Sequence, residues 1–509
     1  MKRERTIDSP ARKSLDISEA DLTQLSAAIN KLVTDYFAGV RERAVFPQAT
    51  AGDTTSKVGA HLSAVGEPLE KLLADCRAIL DGSRHNGHPR FFGYVASPST
   101  PIGAYGDLIA SALNSNVTSW RSGPAATEIE RTVVRWLGSL ISYSDDAHGL
   151  LTSGGSLANT TALLIAQRHK ANWEVATHGL WKQDTPMTIY ASEQVHMSIP
   201  KAADILGFGR EQVRTVACDQ RLRLDVRSLR ERLERDRDHG LEPFCVVASA
   251  GTVNTGAVDP LADIAKIARE FGIWFHVDGA YGAPGSLDAR KRPLFAGLEL
   301  ADSVSLDPHK WLYVPLDAGC LLFRDEAAAR QAFTAGDADY IKVLEENPEE
   351  SFAFWDYGTE LSRRFRALKI WLTLRYYGVE RLAAAISDDN SLAQYLAERV
   401  EQADDFELLA PVELSICCFR YAPKQLRERL AASEEKEQAL LGSELDALNQ
   451  RIMLTVQRGG AAYVSNATIQ GKFALRACIT NFRTTRDDID RTLEIIRSAA
   501  SRCSAVPVD

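Results

Sequence analysis

From about Thr127 to Gly378, short apolar runs alternate with segments of helical apolar spacing, and no other feature limits the fold as much. HGLLTSGG reads as a strand running into a glycine turn, with SLANTTALLIAQRHK as the helix behind it. MTIYAS is a strand followed by a helix around SIPKAADILGF. FCVVASAG, PLADIAKIAREFG and IWFHVDGAYG repeat strand, helix and strand, and DSVSLD and GCLLFRD add two more strands. Strands joined through helices need crossover connections, which give a mostly parallel sheet covered on both faces. Ligands in such sheets lie beyond the carboxyl ends of the strands, so chemistry is expected there.

The flanks differ. From Ile17 to Val40 the residues Leu22, Leu25, Ile29, Leu32, Val33, Tyr36 and Phe37 recur at helical spacing, with Asp16 or Ser18 as cap. A second helix is predicted from about Glu67 to Leu80. After about Ser387 the chain reads as helix (SLAQYLAERVEQA), strand (LSICCFRY), a charged helical run, strand (FALRACIT) and a final helix. The charge run Arg427 to Glu444 reads as a solvated helix face. The expected division is an N-terminal tail and helical dimerisation segment over 1–95, a large α/β domain over 96–386 and a small C-terminal α/β domain over 387–509.

Composition excludes several classes. With 59 basic and 68 acidic residues the net charge is −9, so nucleic acid is not the expected partner. No run of eighteen apolar residues suggests a spanning helix, and MKRERTIDSPARKS does not read as a secretory leader, so no membrane partner is expected. Eight cysteines without a C-x-x-C are expected as reduced thiols in a cytoplasmic protein. His85-x-x-His88 lacks further ligands, so no metal site is expected.

The strand ends carry unusual residues. Ser153-Gly154-Gly155-Ser156 stands directly before a helix, which suits a phosphate, though a glycine turn is often only a turn. Asp278 ends the apolar strand IWFHV, where a carboxylate needs a cationic or hydrogen-bonding partner unless it merely caps a turn. Lys310 follows DSVSL in Asp307-Pro308-His309-Lys310-Trp311; alone it could snorkel past its aromatic neighbour. His196 follows MTIYAS and, alone, reads as a packed or surface residue. Together the four fit one cofactor, pyridoxal 5′-phosphate. Its phosphate suits the helix N-terminus, its aldehyde the lysine, its pyridinium nitrogen the carboxylate and its ring face the imidazole.

The strings HPRFFGY (88–94), SWRSGPAATEIE (119–130), TSGGSLANT (152–160), SAGTVNTGAVDP (249–260), HVDGAYG (276–282), DPHKW (307–311) and RRFRALKIW (363–371) resemble those of the group II pyridoxal-phosphate-dependent amino-acid decarboxylases. The resemblance covers about residues 60 to 380, with a weaker match to the end. It implies a fold-type-I architecture, and a homodimer with active sites at its interface. The implied reaction is decarboxylation of an L-amino acid to its amine and CO2, with an aromatic substrate preferred. It further implies Lys310 as the residue bonded to the cofactor aldehyde, Asp278 as pyridinium partner and His196 stacked on the ring. Gly154, Gly155 and Ser156 would cradle the phosphate, and Thr252, Ala280, Asp307 and His309 would add cofactor contacts. Tyr340, in DADYIKV, matches a loop tyrosine that protonates the carbon left by CO2; related aldehyde synthases carry phenylalanine there. Otherwise Tyr340 is a surface aromatic in a charged loop.

Tyr94, Ser97 and Trp120 are the expected substrate-pocket residues, while Arg121 leaves an acidic substrate open. Three positions depart from the pattern. Asp307 stands where the aromatic enzymes more often have asparagine, Leu157 where glutamate is common, and Val253 in place of a threonine. Other readings are a different enzyme of this fold, such as an aminotransferase, and a pseudoenzyme that keeps the cofactor. The first would not share DPHKW with the downstream tyrosine, and the second would be expected to lose Lys310, His196 or Tyr340.

Overall fold

The computed structural model describes residues 15–58, 62, 64–182, 185–333, 347 and 350–504. The chain separates into two compact units, Met1–His85 and Asn86–Asp509. In the first, helices span Glu19–Ala38, Ala51–Val58 and Leu69–Asp81. Of the two candidate caps it is Ser18 that works, its Oγ accepting from the Asp21 N–H at 3.1 Å. Leu22, Leu72 and Ile79 stay largely exposed on these helices.

The second unit holds all twelve strands found among the described residues. They are Phe91–Phe92 (β1), His148–Thr152 (β2), Met187–Ser192 (β3), Val213–Val216 (β4), Glu242–Ser249 (β5), Trp274–Asp278 (β6), Ser303–Leu306 (β7), Gly319–Phe323 (β8), Phe406–Leu408 (β9), Ile416–Tyr421 (β10), Tyr463–Ile469 (β11) and Lys472–Cys478 (β12). Seven form the large sheet, in the order β2-β8-β7-β6-β5-β3-β4. β3 to β7 pair in parallel, and β8 alone runs against its neighbours β7 and β2. The order within this sheet explains the composition of its strands: β5, β6 and β7 are central, covered on both faces, and almost wholly buried. The helix Gly155–Lys170 lies across β5 to β8, and Leu261–Phe271 packs on β5 and β6.

Five strands make a second sheet, β1-β11-β12-β10-β9, antiparallel except where β1 joins β11. Phe91 and Phe92, expected with the N-terminal segment, therefore run in the same sheet as the C-terminal strands, because their backbone pairs with Tyr463 and Val464. The helix Ala367–Glu401 passes through the expected boundary at 386/387. It bends at Gly378, whose φ of 72° interrupts the helical backbone at a residue without a Cβ. The charged run is two helices, Lys424–Ala432 and Glu435–Gly459, and much of its surface is exposed.

Candidate active site

Strand ends of the large sheet converge on a cavity of about 580 Å3. β2 ends at Thr152 and turns through Ser153 and Gly154 into the helix beginning at Gly155. Glycine is required at 155 by close approach: a Cβ there would lie 2.8 Å from Asp307 Oδ2 and 2.9 Å from the Ala280 Cβ. The first turn of that helix thus sits hard against the ends of β6 and β7. Its amide groups and the dipole's positive end are then available to an anion.

β6 carries Asp278 to the same place. Its Oδ2 accepts from Asn159 Nδ2 at 2.9 Å, and its Oδ1 accepts from Ser305 Oγ at 3.2 Å and the Ala280 N–H at 3.1 Å. Burial pushes this carboxyl up, but the Lys310 ammonium foremost, with the Ala280 N–H, outweighs it and holds Asp278 below the ordinary carboxylate range. The group is an anion with three fixed donors.

After β7, Asp307 leads into the turn Pro308–Trp311, which presents Lys310 to the cavity. Lys310 Nζ lies 2.9 Å from Asp307 Oδ2. Burial pulls the Lys310 ammonium down, and Asp307 and Asp278 more than offset this, so it stays above its usual value. His309 Nδ1 accepts from the Ala318 N–H at 3.0 Å, which leaves the ring proton on Nε2, 3.7 Å from Asp307 Oδ2.

His196 follows β3. Its Nδ1 accepts from the Ser198 N–H at 3.2 Å and lies 2.9 Å from Ser198 Oγ. Desolvation by burial pushes its imidazolium form down, so the neutral ring is favoured. Thr252 sits in the turn after β5, with Oγ1 at 3.0 Å from Thr255 Oγ1 and accepting the Ala257 N–H at 3.2 Å.

All ten residues expected to meet the cofactor line this one cavity: Gly154, Gly155, Ser156, His196, Thr252, Asp278, Ala280, Asp307, His309 and Lys310. Of the expected substrate-pocket residues, Tyr94 lines it. Ser97 instead donates to the His309 carbonyl at 3.3 Å, and Trp120 is tied by its N–H to Phe352 O at 3.0 Å; neither is among the lining residues. Tyr340 lies outside the described residues.

Among the lining residues that were not expected, two carry polar groups that matter below, Asn159 and Arg476. Asn159 is one helical turn beyond Gly155, so helical spacing alone puts it on the face of the cradle. Arg476 comes from β12 and is the one charge in the apolar stretch FALRAC (473–478), the signal by which it could have been found. It is 3% exposed and donates to Val253 O, Asn254 O, Tyr94 O and Ser465 Oγ, leaving Nη2 without a hydrogen-bond partner.

The residues fit pyridoxal phosphate. A helix N-terminus is open to phosphate, a lysine amine faces the same space, and a buried carboxylate is held anionic opposite it. Asp307 Oδ1 is buried with no hydrogen-bond partner at this wall, a further acceptor that the site leaves uncommitted. Among the described residues no cluster of His, Cys, Asp or Glu is placed to hold a metal ion. No helix among them is long and apolar enough to cross a membrane.

Comparison with known proteins bears on the same region. Residues 52–422 match the family model described as the pyridoxal-dependent decarboxylase conserved domain. The chain is 33% identical over 493 residues to the aromatic-L-amino-acid decarboxylase of Bacillus atrophaeus, covering 97% of this chain and 98% of that one. It is 31% identical to the 4-hydroxyphenylacetaldehyde synthase of Rhodiola rosea, covering 97% and 99%. The solved structure of Oryza sativa TDC with PLP and tryptamine superposes with a TM-score of 0.86 at 27% identity, covering 96% of this chain and 99% of that one.

Proposed function

Given that this chain belongs to the pyridoxal-dependent decarboxylase family, we propose that the amino acid it decarboxylates is aromatic. The chain is a fold-type-I, pyridoxal-phosphate-dependent amino-acid decarboxylase, a carboxy-lyase. The observation that carries its chemistry is the shared cavity of Lys310, Asp278 and the Gly155 cradle. Aromatic preference is supported by the Bacillus relative and by Tyr94, which lines the cavity beside Tyr463 with ring centroids 6.0 Å apart.

When bound, the cofactor supplies an electron sink for the bond broken at the substrate Cα. Lys310 would hold its aldehyde carbon, with Asp307 Oδ2 orienting the amine at 2.9 Å. The amides of Gly155 and Ser156 would bind the phosphate, assisted by Thr252 and His309. Asp278 would pair with the cofactor's ring nitrogen and favour the protonated, electron-poor ring; the three donors to Asp278 keep the carboxylate from turning away. His196 presents a flat neutral ring, with Nε2–H as its free edge. Tyr340 would deliver a proton to the carbon that CO2 leaves, and a tyrosine there favours the amine over the aldehyde product.

Arg476 supports a second reading, in which the substrate side chain is acidic: its Nη2 is an uncommitted cationic donor on the cavity wall. A panel of aromatic and acidic L-amino acids, assayed for CO2 and amine with the purified protein and pyridoxal phosphate, decides between them. Fastest turnover of an aromatic amino acid is expected; a faster acidic one overturns the aromatic reading. The protein is also proposed to be a cytoplasmic homodimer, its sites completed at the interface by residues such as Trp120 and Ser97. The exposed Leu108, Ile109 and Leu113 on the helix Pro101–Leu113 support a buried contact of this kind.

A further inference from the structure

On β6 the residues Trp274, His276 and Asp278 alternate onto one face of the strand, and on β7 Ser303 and Ser305 stand opposite His276 and Asp278. Only Asp278 has a place in the chemistry above. The other polar groups on this face are buried under the helix Gly155–Lys170, which lays Asn159 across them. His276 is 0% exposed and Asn159 1%.

Every hydrogen bond in this layer has a definite direction. The Trp274 indole can only donate, and its Nε1–H donates to Ser303 Oγ at 2.9 Å. Asp278 is held anionic and can only accept, so Asn159 turns both Nδ2 hydrogens away from His276, one to Asp278 Oδ2 and one to Ser198 Oγ, each at 2.9 Å. Its Oδ1 faces His276 Nε2 at 3.0 Å and can only accept, so that nitrogen carries the ring proton. Desolvation by burial pushes the His276 imidazolium down to about 4, and the neutral ring leaves Nδ1 as an acceptor 2.9 Å from Ser303 Oγ. Reversing the amide would set Asn159 Oδ1 against the Asp278 carboxylate.

We infer that His276 and Asn159 are positioning residues of this site: the Nε2–H of His276 holds the Asn159 amide in the one orientation that anchors Asp278. A carboxylate so anchored would not rotate off the ring nitrogen of the cofactor. The inference rests on the cofactor assignment of Asp278, but not on the identity of the substrate.

The test uses the full-length protein, with and without pyridoxal phosphate. His276→Gln keeps a donor for Asn159 and an acceptor for Ser303, whereas His276→Leu keeps neither. Nitrogen-15 spectra of labelled histidine read the His276 tautomer, fluorescence titration reads cofactor affinity, and thermal melting checks folding. In wild type the His276 proton is expected on Nε2. For His276→Leu a loss of about tenfold in cofactor affinity is expected, the scale of one buried hydrogen bond. His276→Gln should stay near wild type. The wild-type tautomer carries the test if His276→Leu fails to fold.

A wild-type His276 ring with its proton on Nδ1 overturns the inference. So does His276→Gln as impaired as His276→Leu, which would reduce His276 to a packing role. Failure of the cofactor assignment would look different: no variant, wild type included, would then bind pyridoxal phosphate through this site.

Discussion

Asp278→Asn is the smallest change that separates charge from shape in this site. The carboxylate accepts on both oxygens, from Asn159 on one and from Ser305 and the Ala280 N–H on the other. An asparagine must place its NH2 at one of these positions. It then meets either the Asn159 amide hydrogens or the Ala280 N–H, and a buried donor loses its acceptor at a cost of about 1–3 kcal/mol. The substitution also removes the anion facing the cofactor's ring nitrogen, a charge-assisted contact of about 1.5–3 kcal/mol. At 1.4 kcal/mol per decade this corresponds to a cofactor affinity lower by roughly ten- to a hundredfold. Amine formation should fall further than affinity, because even the bound ring is no longer held protonated. Titration of the apoprotein with pyridoxal phosphate gives the affinity, and turnover at saturating cofactor gives the second effect. Affinity within twofold of wild type, with activity retained, would refute the pairing of Asp278 with the ring.

Other expectations concern separate parts of the fold. Gly155→Ala inserts a Cβ within 2.9 Å of both Asp307 and Ala280, and overpacking of this kind costs about 1–3 kcal/mol; weaker binding of pyridoxal phosphate, with pyridoxal itself little affected, is the expected titration result. Asp389 is buried beneath donors from Trp311 and Tyr313, and burial pushes its carboxyl up to about 7. The folded state therefore holds a proton that the unfolded state releases from about pH 4 upward, and wild type loses stability as pH rises towards 7. Denaturant unfolding should show Asp389→Asn gaining on the order of 2 kcal/mol over wild type between pH 5 and 8; a gap independent of pH would contradict the buried neutral acid. Tyr340→Phe should lower amine and raise aldehyde and peroxide when products are quantified under oxygen, and an unchanged product ratio would remove Tyr340 from the protonation step.

Much of the large sheet was legible because its signals are local. HVDGAYG and DPHKW each place their polar residues immediately after an apolar strand, and the chain rule that ligands gather beyond strand carboxyl ends does the rest. The cofactor residues converge because β2, β3, β5, β6 and β7 point the same way. Arg476 escaped for the opposite reason. It arrives from β12 of another sheet, and only long-range pairing brings that strand to the cavity. β1 was hidden by its length, since two residues of FF carry no periodicity and their partner is Tyr463. Asn159 and His276 could be placed on the correct faces from spacing alone, but the direction of their hydrogen bonds depends on the contact of Asn159 with Asp278, which joins a helix to a strand far along the chain. Trp120 and Ser97 show a further boundary: motif matching assigns them to a substrate pocket, yet within one chain neither lines the cavity.

The account stands on the identity of one lysine. Lys310 shares the cavity with Asp278 and the Gly155 cradle, whereas Lys369, also buried, is paired with Asp107 at 3.2 Å and does not line it. Borohydride reduction of the protein reconstituted with pyridoxal phosphate, followed by peptide mapping, should find the pyridoxyl group on Lys310 and nothing on a Lys310→Ala variant. A pyridoxyl group on Lys369 or any other lysine, or labelling that survives in Lys310→Ala, would contradict it.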